Sequence, residues 1–183
     1  MRVLGISGSL RRDSHNTELL RAAGSLLPSG AELVLFEGLK DIPPFDEDDE
    51  RDAPAAVVRL REAIAEADAV LFATPEYNHS VPGHLKNALD WVSRPKDANT
   101  MRGKPVAVIG ASTGMFGAVW AQAELRKVLG ATGARVAEVE LAVGHAHEHL
   151  DAAGNLADPS QQEALRESVL VLLGERQNAE LAA

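Results

Sequence analysis

Apolar positions along the chain follow two periods. Five short segments rich in branched residues, Val3 to Ser7, Glu32 to Phe36, Ala69 to Thr74, Val106 to Ala111 and Arg135 to Leu141, are predicted strands. The third and fourth are nearly continuous apolar runs, as strands covered on both faces must be. The fifth alternates, with Val136, Ala137, Val139 and Leu141 set against Glu138 and Glu140, and is expected at a sheet edge. Between and after the strands the spacing changes to that of a helix face. Leu19, Leu20, Ala23, Leu26 and Leu27 form the first stripe, and Val57, Leu60, Ile64 and Ala67 the second. Leu85, Ala88, Leu89 and Val92 form the third, Leu125, Val128 and Leu129 the fourth, and Leu165, Val169, Leu172 and Leu173 the last.

Strands and helices that alternate in this way predict an α/β fold, a parallel sheet with helices on both faces. No repeat, low-complexity tract or linker divides the chain, so residues 1–183 are expected to form one domain, with 175–183 as a tail. A chain of 183 residues is long enough to bury a core without disulfides, and it has no cysteine to form them. That absence removes thiol catalysis and cysteine-ligated metals, and fits a reducing compartment. The first strand follows Met1 directly and no apolar run reaches the roughly 18 residues of a membrane helix, so the cytoplasm is the expected location. The net charge of −9 argues against nucleic acid and anionic membranes as partners. A bound phosphate would need a local device.

Such a device is legible at residues 8–17. Gly8 permits a sharp turn; Ser9, Ser14, Asn16 and Thr17 supply small polar groups, Leu10 separates Ser9 from Arg11, and Arg11 or Arg12 can close on an anion. The helix that follows presents unpaired N–H groups and the positive end of its dipole. Capping of that helix by Ser14 or Asp13 is the plainer explanation for part of this set.

In an open parallel sheet, ligands sit beyond the carboxyl ends of strands where the strand order reverses. Two further loops therefore matter. After the third strand come Thr74-Pro75-Glu76-Tyr77-Asn78-His79-Ser80-Val81-Pro82-Gly83, stiffened by prolines near both ends, with Tyr77 able to pack on a ring. After the fourth come Gly110-Ala111-Ser112-Thr113-Gly114-Met115-Phe116-Gly117, whose glycines permit close approach of backbone to ligand. Residues 110–114 also match G-x-S-x-G, which raises a serine hydrolase using Ser112 and one of His145, His147 or His149. Those histidines alternate; on an extended segment they would share one face and could bind zinc. The acidic run Asp46 to Glu50 lacks the glycine and spacing of a calcium loop and reads as solvated.

At the three loops the sequence resembles the NADPH-dependent FMN reductase family of flavodoxin-like proteins, which includes quinone, azo-dye and chromate reductases. The resemblance rests on Gly8-Ser9-Leu10-Arg11 with Ser14 and Asn16, on Thr74 to Asn78 running into Pro82-Gly83 and Leu85 to Trp91, and on the loop at 110–117. It implies a five-stranded sheet of order 2-1-3-4-5. It also implies FMN as cofactor, with Ser9, Leu10, Arg11, Ser14, Asn16 and Thr17 at its phosphate, Pro75, Glu76, Tyr77 and Asn78 bordering its ring, and Ser112, Thr113 and Gly114 on the other side. NADPH or NADH would be the hydride donor, a small molecule such as a quinone, free flavin or azo dye the acceptor, and no residue need act as acid or base. A homodimer or homotetramer is implied, with Trp91 and Trp120 as interface or core candidates. His79 stands where the family often has glycine. No arginine is assignable to a 2′-phosphate, so the choice between NADPH and NADH stays open. A flavodoxin-type electron carrier shares the fold; a phospho-acceptor domain does not fit, because Thr74-Pro75 stands where its aspartate belongs.

Overall fold

The computed structural model describes residues 1–151 and 155–181, with backbone alone for 175–181. One sheet carries strands β1 (Arg2–Ser7), β2 (Glu32–Leu35), β3 (Ala69–Thr74), β4 (Pro105–Ala111), β5 (Arg135–Val136) and β6 (Ala142–Val143), all pairings parallel. The order β2-β1-β3-β4-β5, with β6 also on β4, is the one the resemblance implies. The helices are α1 (His15–Ser25), α2 (Ala55–Glu66), α3 (Gly83–Val92), α4 (Val119–Ala131), α5 (Ala146–His149) and α6 (Pro159–Leu181).

The period-2 faces of the central strands explain the two cores. Leu4 and Ile6 of β1, Val70 and Phe72 of β3, and Val106 and Val108 of β4 pack with the apolar stripes of α2, α3 and α4. The alternate residues Val3, Leu71, Ala73, Ala107 and Ile109 pack with α1 and α6. All residues of β3 and β4 are buried, as their uninterrupted apolar runs require.

Two expectations need correction here. The strand expected over Arg135 to Leu141 is broken: β5 pairs at Pro105 and Val106 and β6 at Gly110 and Ala111, so β4 advances four residues from Val106 to Gly110 while the edge advances six from Val136 to Ala142. The two extra residues bulge out at a tight turn, with Val139 N–H donating to Ala137 C=O at 3.0 Å, and Glu138 and Glu140 exposed. Ala137 and Leu141 stay buried on either side, which is why the sequence pattern alone looks continuous. The histidine segment is not extended either: His147 and His149 lie in α5 and His145 precedes it at φ 45°, so i,i+2 alternation does not put three rings on one face. The last helix runs into the stretch expected as a tail, through Leu181; residues 182–183 lie outside the described residues.

Trp91 is a core residue with no exposed surface. Its indole N–H donates to Pro43 C=O at 2.9 Å, and Asn87, one turn earlier on α3, donates to the same oxygen at 2.7 Å while accepting from Phe45 N–H. The long acidic connection is thereby pinned at Pro43-Pro44-Phe45, leaving Asp46 to Asp49 in solvent.

Candidate functional site

β1, β3 and β4 end side by side, and the loops that leave them meet at one edge. The first loop starts on Gly8, whose N–H extends the ladder to Ala73 C=O at 2.8 Å. A Cβ there would lie 2.9 Å from Leu85 Cδ2 and 3.2 Å from Pro75 Cδ, so glycine lets the first loop pass close to the second without displacing those side chains. Gly8 C=O is held at 2.9 Å by Nε2 of His84, which must donate because a carbonyl can only accept. Burial lowers the His84 pKa, partly offset by that bond. Sequence reading passed over His84; its place in the second residue of α3, directly below the loop, carries no signature.

Ser14 caps α1, its Oγ accepting from Thr17 N–H at 3.4 Å, and leaves its own O–H to donate. The first-turn N–H groups of His15 and Asn16 have no intrahelical partner and point out of the helix end. Ser9 Oγ accepts from Arg11 N–H at 3.4 Å, and the exposed Arg11 guanidinium donates to Asp13 C=O at 3.2 Å. Asn16 departs from the expected role. Its amide is committed to Ala111 at the end of β4, donating to the C=O at 2.9 Å and accepting from the N–H at 3.0 Å. Its backbone N–H, not its side chain, is what it offers to an anion.

In the second loop, Tyr77 and Ser80 exchange backbone hydrogen bonds across Asn78 and His79, both left-handed at φ 53° and 58°. This is a two-residue hairpin with both central residues at positive φ, the type I′ geometry. Glycine, which the family that the sequence resembles often has at position 79, would fit that backbone; here histidine adopts it. Tyr77 is 51% exposed and free to meet a ligand. Glu76 turns away toward α4, with its Oε2 accepting from Trp120 N–H.

The third loop is pressed onto the 142–146 segment. Ser112 N–H donates to Val143 C=O, Ala146 N–H to Ser112 C=O and His145 N–H to Gly114 C=O. A Cβ on Gly117 would come within 2.4 Å of the Ala142 carbonyl carbon, and one on Gly144 within 2.2 Å of Met115 O. Ser112 is not a nucleophile elbow. A helix must begin at the nucleophile for that geometry, whereas α4 starts at Val119, and Ser112 Oγ accepts from Gly114 N–H at 3.1 Å.

The loops enclose a cleft of about 120 Å³. Ser9, Arg11, Ser14 and Asn16 line it from the first loop, Pro75, Glu76 and Tyr77 from the second, and Ser112 and Thr113 from the third. Leu10, Thr17, Asn78 and Gly114 stand outside the lining, while His15 and Ala111, which sequence reading did not include, belong to it. The larger groove of about 620 Å³ beside Arg126 and Glu138 offers a guanidinium but neither a helix N-terminus nor a hydroxyl. The three-loop cleft joins an open helix end, two hydroxyls and a guanidinium, a set of donors suited to an anion.

Known proteins resemble this chain in sequence and in fold. The family model of NADPH-dependent FMN reductase matches residues 1–148. An NAD(P)H-dependent FMN reductase of Pseudomonas aeruginosa is 42% identical over 174 residues, covering 94% of this chain and 93% of its own length. A 2-hydroxy-1,4-benzoquinone reductase of a Burkholderia species is 38% identical over 167 residues, covering 91% of each. Among solved structures, FerB, a flavoenzyme NAD(P)H:(acceptor) oxidoreductase from Paracoccus denitrificans, superposes with a TM-score of 0.88 at 37% identity over 97% of both chains. Three loops that meet over an open helix end, and relatives matched along nearly the full length, lead to one conclusion: the chain belongs to the NADPH-dependent FMN reductase family.

Proposed function

We propose that the three-loop cleft holds FMN and that the family's NAD(P)H-dependent oxidoreduction runs there with a quinone-type acceptor. One observation carries the reading: the open end of α1 faces the same cleft as the loops from β3 and β4. The residues fit the group. A phosphate there would be held by the His15 and Asn16 amides, the Ser9 and Ser14 hydroxyls and Arg11, whose exposed side chain needs only to leave Asp13 C=O. Pro75, Tyr77, Ser112 and Thr113, which line the cleft, would border a flat ring.

When bound, FMN supplies the hydride relay from NADPH or NADH to the acceptor. The chain contributes position and exclusion of water, so no side-chain acid or base is assigned to the hydride step. The relatives named for quinone reduction support a small, flat acceptor. A cleft of this size covers only part of a nucleotide, and Tyr77, Met115, Phe116 and Trp120 leave an apolar rim around it, each more than 40% exposed. A second copy of the chain covering this rim is part of the proposal, and size-exclusion chromatography with light scattering measures it. No helix among the described residues is long and apolar enough to cross a membrane.

The test is direct. Purified protein should carry or take up FMN, seen as visible flavin absorbance, and should bleach on anaerobic addition of NADPH and recover with benzoquinone. Protein that stays colourless with added FMN overturns the site; protein that binds FMN yet keeps its colour with NADPH and NADH is an electron carrier. Arg11→Ala should weaken FMN binding roughly tenfold or more, as loss of a charge-assisted contact does.

A further inference from the structure

Helix α4 begins without a cap of its own. The residue before it, Ala118, is left-handed at φ 64° and has no side chain able to accept from the first turn. The missing acceptor comes from the second loop. Glu76 Oε2 accepts from Trp120 N–H at 3.0 Å and from Ala121 N–H at 3.1 Å, two consecutive amides at the positive end of the helix. Its other oxygen lies 3.4 Å from His79 Nδ1, and the His79 ring stands edge-on to Trp120 with centroids 4.7 Å apart.

A second tie runs the opposite way. Glu124, on α4 itself, accepts from the Ser80 hydroxyl at 2.6 Å and from Val81 N–H at 3.3 Å. Each of the two elements thus lends a carboxylate to backbone or hydroxyl donors of the other. The hairpin cannot shift along the helix without losing both.

We infer that Glu76 is a positioning residue for the flavin ring site, setting the gap between the Tyr77 hairpin and the glycine loop. The inference rests on the proposed FMN site. The glycine loop is anchored at its near end by β4 and Asn16, and its far end is Ala118, the residue from which α4 starts. Whatever fixes the first turn of α4 fixes that far end. Glu76 does so from the loop on the opposite side of the cleft, so one carboxylate locks both walls at once. A glutamine keeps an acceptor in place and loses the charge; an alanine removes both.

The experiment has an arm without flavin and an arm with it. In flavin-free protein, Glu76→Ala should speed hydrogen exchange at the Trp120 and Ala121 amides, read by NMR, while Glu76→Gln should leave most of the protection. With FMN, Glu76→Ala should raise the dissociation constant about tenfold, within the range that loss of a helix cap allows, and Glu76→Gln should recover most of that. Glu124→Ala, on an exposed stretch of α4, should weaken FMN binding in the same direction by about threefold, and it keeps the inference testable should Glu76→Ala not fold. Unchanged exchange at Trp120 and Ala121 overturns the cap. Faster exchange with FMN affinity within twofold of the parent overturns the positioning role. Wild-type protein that binds no FMN overturns the cofactor reading on which the inference stands, whatever the exchange data show.

Discussion

Asn16 shows how a motif can mark a residue and conceal its task. Spacing places it in the first turn of a helix beside a loop that reads as a phosphate cradle, where an amide reads as a ligand donor. The structure spends both of its polar atoms on the Ala111 backbone. Asn16→Ala would leave that buried N–H and C=O unpaired, a cost of about 1–3 kcal/mol. The urea midpoint should fall accordingly with the slope unchanged. Asn16→Asp should not rescue, since a carboxylate accepts from the N–H but meets the C=O with like charge. His84 was equally hidden, because nothing in the order of residues says that α3 will rise beneath Gly8. Its pKa is lowered by burial, so the folded chain favours the neutral ring. The stability this contributes is complete above the unfolded value of about 6.5 and is lost as pH falls through the lower folded value. Thermal melts across that acid range should therefore be shallower in pH for His84→Gln than for the parent.

At the scale of elements, legibility followed burial. β3 and β4 have one environment along their whole length, so an apolar run is sufficient to mark them. The edge is illegible in the sequence because Ala137 and Leu141 remain buried across a two-residue bulge, and alternation cannot reveal that the ladder has paused. The glycine loop was recognised by composition, yet composition does not rank its glycines. Geometry does. Gly117 combines φ 57° with an Ala142 carbonyl carbon 2.4 Å from any Cβ, whereas a Cβ on Gly130, in the last turn of α4, meets nothing within 4 Å. Gly117→Ala should cost more than about 1 kcal/mol, lowering the melting temperature by several degrees for a chain of this length. Gly130→Ala should be neutral or raise it slightly, by up to about 1 kcal/mol of helix preference. Differential scanning fluorimetry on the two variants in parallel checks both signs.

At the scale of the whole molecule, an acidic chain is asked to bind an anion. The charge of −9 opposes any dianion at a distance, so affinity must come from short-range groups: the α1 amides, two hydroxyls and Arg11. Binding to the folded state alone stabilises it by about 2.7 kcal/mol at a free ligand concentration of 100 Kd. For a chain of 183 residues that corresponds to roughly 5–10 °C in melting temperature. FMN should produce that shift. Riboflavin presents the same ring to the Tyr77 hairpin and the Ser112 loop but no phosphate to α1, so at equal concentration it should produce a much smaller one. The difference between the two should narrow in Arg11→Ala, since that variant removes a contact only FMN can use, while the riboflavin shift stays where it was. Equal shifts from FMN and riboflavin would mean that the ring walls do the binding and that the open end of α1, despite its geometry, is not where the ligand is held.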